Sequence, residues 1–282
     1  MTSISLPIIG QNSQPPEEDG VELDYLPMPE DMAIYRMPQV SVDLNAADLA
    51  QAKSVLQQLE QDLAAYPATS VANDLTGLNS VNRRFIDEVL GEGEVSIICA
   101  GELMLRIQES VLAGVWRLQQ VNARQQLVSD VLEVGIIPKQ LLQSAFTGAA
   151  RQIGTDRTVL PEGVMNAPPL LAELNAKIAA YQTGAEPHII NLSLLPQTEQ
   201  DLAFLEQRLG KGTVTILSRG YGNCRISSTG THYVWWVQYF NSQDTLILNT
   251  LEVSDVPAVA CASPEDIADS AQRLQEILKV YL

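Results

Sequence analysis

An eight-residue stretch, LGEGEVSI at Leu90–Ile97, returns 119 positions further on as LGKGTVTI at Leu209–Ile216. Read on without a gap, Gly101 meets Gly220, Arg106-Ile107 meets Arg225-Ile226, and Val115-Trp116 meets Val234-Trp235. Gln119 then falls on Gln238, Asn122 on Asn241, Leu132-Glu133-Val134 on Leu251-Glu252-Val253, and Pro138 on Pro257. A period this long is that of a repeated domain, because one turn of a solenoid takes roughly 20–50 residues. Whatever one half folds into, the other half must be able to fold into as well.

Each half reads as the same series. A helix (46–65 and 168–182) precedes a short strand (70–75 and 188–194), and a second helix stops at Leu90-Gly91 and Leu209-Gly210, where glycine suits a left-handed C′ position. Four short strands separated by Gly, Asn and Ser follow, the pattern of an antiparallel meander. A helix closes each copy. The second of these is well signalled by SPEDIADSAQRLQEILKVYL: Ser263 as N-cap, Pro264 at the first helical position, two acids in the first turn, and an apolar stripe of Ile267, Ala271, Leu274, Leu278 and Tyr281. The expected fold class is α+β, with two tandem related domains, each an antiparallel meander packed with helices. The boundaries follow: an extended Pro/acid-rich arm over 1–44, a first domain over 45–150, a linker over 151–165 and a second domain over 166–282.

Composition narrows the chemistry. Seventeen basic against 34 acidic residues leave a net charge of −17, which repels phosphate backbones and argues against nucleic acid as a partner. No apolar run approaches the ~18 residues a bilayer span needs, and MTSISLPIIGQ lacks the basic start and long apolar core of a secretory signal. Three cysteines, Cys99, Cys224 and Cys261, make no C-x-x-C spacing and no even disulfide set, so a reducing cytoplasm is the expected setting. No metal-ligand pattern is present, and no metal or other cofactor is expected.

The densest stretch, GYGNCRISSTGTHYVWWVQYFNSQDTLILNTLEV (Gly220–Val253), is interpreted through its first-half twin. Cys224, Ile226 and Ser228 share a strand face, and Cys224 stands where the first half has Leu105, so it is expected to pack as a small hydrophobe. A Cys224–His232 couple lacks an acidic orienter and a helix N-terminus after the cysteine, so no catalytic residue is assigned. Trp116 and Trp235 are expected core anchors. On the opposite face Trp236 and Phe240 replace Arg117 and Val121. With Gln238 and Arg225 they form a candidate partner-binding set: an apolar patch beside an arginine able to meet a partner carboxylate. For the repeated pairs Arg106/Glu133 and Arg225/Glu252, cross-strand ion pairs are expected.

These motifs, with SQPPEEDG, MNAPPLL, INLSLLP and ASPEDIADSAQRLQEIL, closely resemble the hydrogenase expression/formation family known as HupH, HyaF or HoxQ, over nearly the whole chain. The resemblance implies a cytoplasmic, non-enzymatic accessory protein. Its partner would be the precursor of the iron–sulfur small subunit of a membrane-bound nickel–iron uptake hydrogenase, before twin-arginine export and alongside a thioredoxin-like helper. It supplies no catalytic residue. Two alternatives stay open from the residues: an iron–sulfur or redox-handling protein using Cys224, and a self-associating scaffold.

Overall fold

The computed structural model describes residues 46–67, 72–154, 160–220 and 222–281. The arm expected over 1–44 lies outside the described residues, as does the stretch 155–159 of the expected linker. In chain order, a 3-10 turn (Ala46–Leu49) leads into α1 (Ala50–Ala64), then β1 (Asn73–Asp74), α2 (Ser80–Leu90), β2 (Val95–Cys99), β3 (Met104–Glu109), β4 (Val115–Val121), β5 (Leu127–Val134) and α3 (Lys139–Ser144). The second half continues with α4 (Ala167–Ala180), β6 (His188–Asn191), a 3-10 turn (Leu192–Leu194), α5 (Glu199–Leu209), β7 (Lys211–Ser218), β8 (Asn223–Thr229), β9 (Val234–Phe240), β10 (Leu246–Val253), a 3-10 turn (Ala258–Ala260) and α6 (Pro264–Tyr281).

Local chemistry explains the shared boundaries. The Asn79 side chain accepts the Asn82 N–H to start α2, and Thr198 starts α5 with a reciprocal capping box to Asp201. Both helices stop at glycine, but not in the left-handed helical geometry expected. Gly91 has φ 52° and ψ −160°, and Gly210 has φ 69° and ψ 173°. Positive φ with extended ψ is close to glycine-only territory, and it turns the chain straight from helix into strand. The next glycine of each motif serves close approach. A Cβ on Gly93 would sit 2.3 Å from the Ser110 carbonyl oxygen, and one on Gly212 would sit 2.2 Å from the Ser228 hydroxyl. The motif L-G-x-G is therefore a helix stop followed by a tight pass.

The expectation of two tandem domains is corrected in one respect: the two meanders are joined and do not stand as separate units. All ten strands form one sheet in the order β1-β5-β4-β3-β2-β7-β8-β9-β10-β6. The seam is the antiparallel pair β2–β7, in which Ile97 faces Ile216, the two residues that the sequence repeat superposes. The order therefore runs outward alike from this seam. As first strands of their meanders, β2 and β7 would each leave a row of backbone donors and acceptors unpaired, and joining them removes both edges.

The halves also exchange their tails. The α6 residues Ile267, Leu274 and Ile277 share one core with Leu56 and Leu59 of α1 and Phe85 of α2. The helix that closes the second half in sequence thus closes the first half in space. Ser263 caps it as expected, its hydroxyl accepting the Asp266 N–H at 3.0 Å. The Tyr281 side chain of the expected stripe lies outside the described residues. Fully burying an Ile or Leu contributes about 1.5–3 kcal/mol, so Leu274→Ala alone would loosen this clasp by about 2–5 kcal/mol. In return, Phe146 beyond α3 sets its ring edge-on to Trp235 at 5.1 Å, and Ala150 bridges to Thr231.

Three cores result. Helices α1, α2 and α6 cover one end of a sheet face over Val115, Leu132 and Val134. Helices α4 and α5 cover the other end of that same face over Val234, Leu251 and Val253. The reverse face is covered at its centre by Leu141, Ala145 and Ala260, packed over Ile97, Ile216, Trp116 and Trp235. Both tryptophans are wholly buried. Their indole N–H groups donate to matching carbonyls, Gly135 in one half and Ser254 in the other.

Candidate functional site

Strand register assigns every side chain of the Gly220–Val253 block to a face. Arg225 of β8 stands opposite Leu217 of β7 on one side and Gln238 of β9 on the other. Trp236 lies between Ser227 and Leu251, and Phe240 between Asn223 and Leu246. Arg225, Trp236, Gln238 and Phe240 therefore share one sheet face, and all four are half-buried. The α4/α5 core reaches Trp236, whose indole N–H donates to Asn249 Oδ1 at 2.5 Å. Towards the seam the same face continues through Leu217 and Thr215 to Ile98, 41% exposed, and Arg106 of the first half. No described helix core includes these central residues.

The expected ion pairs are corrected. Arg225 lies on the face just described, whereas Glu252 pairs across to Trp235 and points to the reverse face, with β9 intervening. The same geometry separates Arg106 from Glu133. Arg106 instead donates to Gln125 Oε1 at 2.6 Å, Glu133 accepts the Lys139 N–H at 2.8 Å, and Glu252 accepts from the Thr250 hydroxyl at 3.3 Å.

The thiols are packed. Cys224 and Cys99 are buried in the central core and Cys261 packs against it. Burial pushes Cys224 up to about 12, and Cys99 and Cys261 to about 11. A thiol that resists ionisation is a poor nucleophile and a poor metal ligand. His232 packs its ring on Phe146 at 5.2 Å and on Tyr233 at 4.1 Å. Among the described residues, no three His, Cys, Asp or Glu side chains stand together as a metal site. No described helix is long and apolar enough to cross a membrane.

Sequence reasoning missed two features. One is a buried charge network in the first half: Arg117 holds Asp130 with two bonds of 2.8 Å, Arg83 adds a third at 2.6 Å, and Arg117 also bonds Asp87. The repeat could have flagged it, because Arg117 and Asp130 fall on Trp236 and Asn249, which bond to each other in the same way. The other is Glu109, a buried carboxyl that burial raises to about 7, with Glu94 and Asp266 adding repulsion and the Gly114 N–H opposing. Its second-half twin is Ser228.

What this geometry offers is contact surface on one face of the sheet. The C-terminal conserved region of the HupH hydrogenase expression protein matches residues 45–148 and 164–281. The hydrogenase expression/formation protein HoxQ of Cupriavidus necator is 45% identical over 283 residues, covering 99% of this chain and 98% of that protein. HupH of Rhodobacter capsulatus is 44% identical over 273 residues, covering 96% and 94%. A solved structure of the hydrogenase expression protein HupH from Thiobacillus denitrificans is 31% identical, covers 41% of this chain and 94% of its own, and has a TM-score of 0.37. The chain belongs to the HupH family of hydrogenase expression/formation proteins.

Proposed function

We propose that the protein is a non-enzymatic chaperone that binds the precursor of the iron–sulfur small subunit of a membrane-bound nickel–iron uptake hydrogenase. It acts in the cytoplasm before twin-arginine export, alongside a thioredoxin-like helper. The observation that carries the reading is the match to hydrogenase expression/formation proteins across 99% of the chain. The buried, high-pKa thiols support binding over chemistry and count against the redox alternative at Cys224. The half-buried set Arg225, Trp236, Gln238 and Phe240 supplies an apolar anchor and a fixed cation at one end of a sheet face. A net charge of −17 favours a client segment rich in Lys and Arg.

Co-purification from cells carrying the hydrogenase operon tests this. The precursor is expected on the tagged protein and at least tenfold reduced on a Trp236→Ala/Phe240→Ala double variant. Absence of the precursor from the wild-type eluate would overturn the chaperone reading. Equal retention by the double variant would remove these two aromatics from it.

A further inference from the structure

The INLSLLP and MNAPPLL motifs have no part in the site described above, yet the structure brings them together. Asn249 N–H donates to Ser193 Oγ at 2.8 Å, as Asp130 N–H donates to Thr76 Oγ1 at 3.2 Å. Leu192 and Leu75, one residue earlier, are both buried. Aligned this way, Leu194 stands where the first half has Gly77. From the hydroxyl to the helix cap, the second half runs Ser193 to Thr198 and the first half only Thr76 to Asn79. The second half thus has a loop two residues longer, and its knuckle Leu194-Leu195-Pro196 stands where the first half has only Gly77-Leu78.

The knuckle is apolar and uncovered. Leu194 is 81% exposed and Leu195 38%, and neither adds to a described core. Asn166 Nδ2 donates to the Pro196 carbonyl at 2.5 Å, which brings in Met165, 72% exposed. The Ser193–Asn249 bond sets the knuckle against β10, where Leu246 and Ile247 are 43% and 60% exposed. There β6 covers only Thr250–Val253, leaving the β10 start beyond its end. The stretches 160–169, 192–201 and 241–249 that supply this surface carry exposed Glu162, Glu199 and Asp244 and contain no Lys or Arg.

We infer that the Met165/Leu194/Leu195/Ile247 surface is a docking site for an extended apolar peptide segment flanked by Lys or Arg. The apolar knuckle takes the side chains, since exposed clusters of this kind mark interaction sites. The acidic side chains of these stretches select the flanks, because opposite charge steers encounter and fixes register. A client with acidic flanks would meet like charge at Glu162, Glu199 and Asp244.

The test uses the full-length protein and two labelled peptides with one ten-residue Leu/Ala core, flanked by Arg-Arg or by Glu-Glu, read by fluorescence anisotropy. The Arg-flanked peptide is expected to bind at least tenfold more tightly than the Glu-flanked one. Leu194→Gln/Leu195→Gln should weaken it at least tenfold, and Glu162→Gln/Glu199→Gln/Asp244→Asn severalfold with a flatter salt dependence. These positions are at the surface, and an unchanged melting curve checks the fold. Equal affinity of wild-type protein and the leucine double variant, or equal affinity for both peptides, would overturn the inference. So would self-association that the leucine double variant abolishes while peptide binding is absent. The outcome is separable from the chaperone reading. Capture of the precursor by both wild type and the leucine double variant refutes only the knuckle, whereas peptide binding without precursor capture refutes only the proposed client.

Discussion

The two halves share a backbone plan but differ at one seam between helix and sheet. In the first half the seam is ionic: Asp130, wholly buried, is held by Arg83 and Arg117, and Arg117 also bonds Asp87. At the matching second-half positions stand Asn249, Leu202, Trp236 and Glu206. The cross-strand pair survives as a neutral indole–amide bond. Where the first half turns with Gly77, the second raises Leu194. Shared positions carry folding: the tryptophans, the paired glycines, and the twins Asn82 and Asp201, which tie one helix to the start of another. Asn82 Oδ1 accepts the Ala52 N–H, and Asp201 Oδ1 accepts those of Met165, Asn166 and Ala167. The divergent loop adds exposed Leu194 and Leu195 in the second half, whereas exposed Leu246 and Ile247 have exposed first-half twins in Leu127 and Val128. The comparison teaches that the first half is the more charge-braced of the two at this seam.

The largest effect should come where the halves agree. Trp116→Ala and Trp235→Ala should each cost about 3–5 kcal/mol in chemical denaturation, and a gap above ~2 kcal/mol between them would break the equivalence of the cores. The ionic seam should separate the halves. Asp130→Ala leaves two arginines facing a vacated site and should cost about 3–5 kcal/mol. Asn249→Ala loses one neutral partner and should cost about 1–3 kcal/mol. Similar losses from both would erase the contrast. Gly93→Ala and Gly212→Ala should then cost about 1–3 kcal/mol each through overpacking, with equal thermal shifts confirming the shared pass.

Acidity sharpens the comparison further. Because burial lifts the folded Glu109 carboxyl from its ordinary 4.5 to about 7, the folded protein holds that proton longer than the unfolded chain does. Its contribution is full below about pH 4.5 and is lost as pH rises through about 7. Glu109→Gln should therefore flatten the fall in thermal stability over that window, while Ser228→Ala should leave its slope unchanged. Asp201 has the opposite sign. Burial opposes its carboxylate, but four backbone N–H donors, from Ala167, Met165, Thr198 and Asn166, hold it down to about 2. Its contribution is present near neutrality and lost as pH falls towards 2. The smallest effect should be that of Arg225→Ala: little change in stability, read instead as weaker precursor retention.

Much of this plan was legible from the repeat. The strands β4 and β9, β5 and β10, and the helices α2 and α5 fall at the 119-residue offset end for end, because local propensity and side-chain alternation act within a few residues. Alternation also placed Cys224 inward and separated Trp235 from Trp236. It failed for Arg225 and Glu252, since relating faces across three strands requires the register of both ladders, which hydrogen bonding sets. The β2–β7 seam and the crossing of α6 to the first half were illegible for a similar reason. An edge strand or an amphipathic helix advertises that it needs a partner and carries nothing that says which one. The knuckle was hidden because Leu-Leu-Pro reads as readily as core as it does as surface.

The account rests on contact surface, with Cys224 as packing in the position where the first half has Leu105. Its most direct test is hydrogenase activity in cells whose only copy of this protein carries Cys224→Ala, with the melting curve of the purified variant as the check on folding. Near-normal activity is expected. A folded Cys224→Ala protein that leaves the hydrogenase inactive would contradict the account.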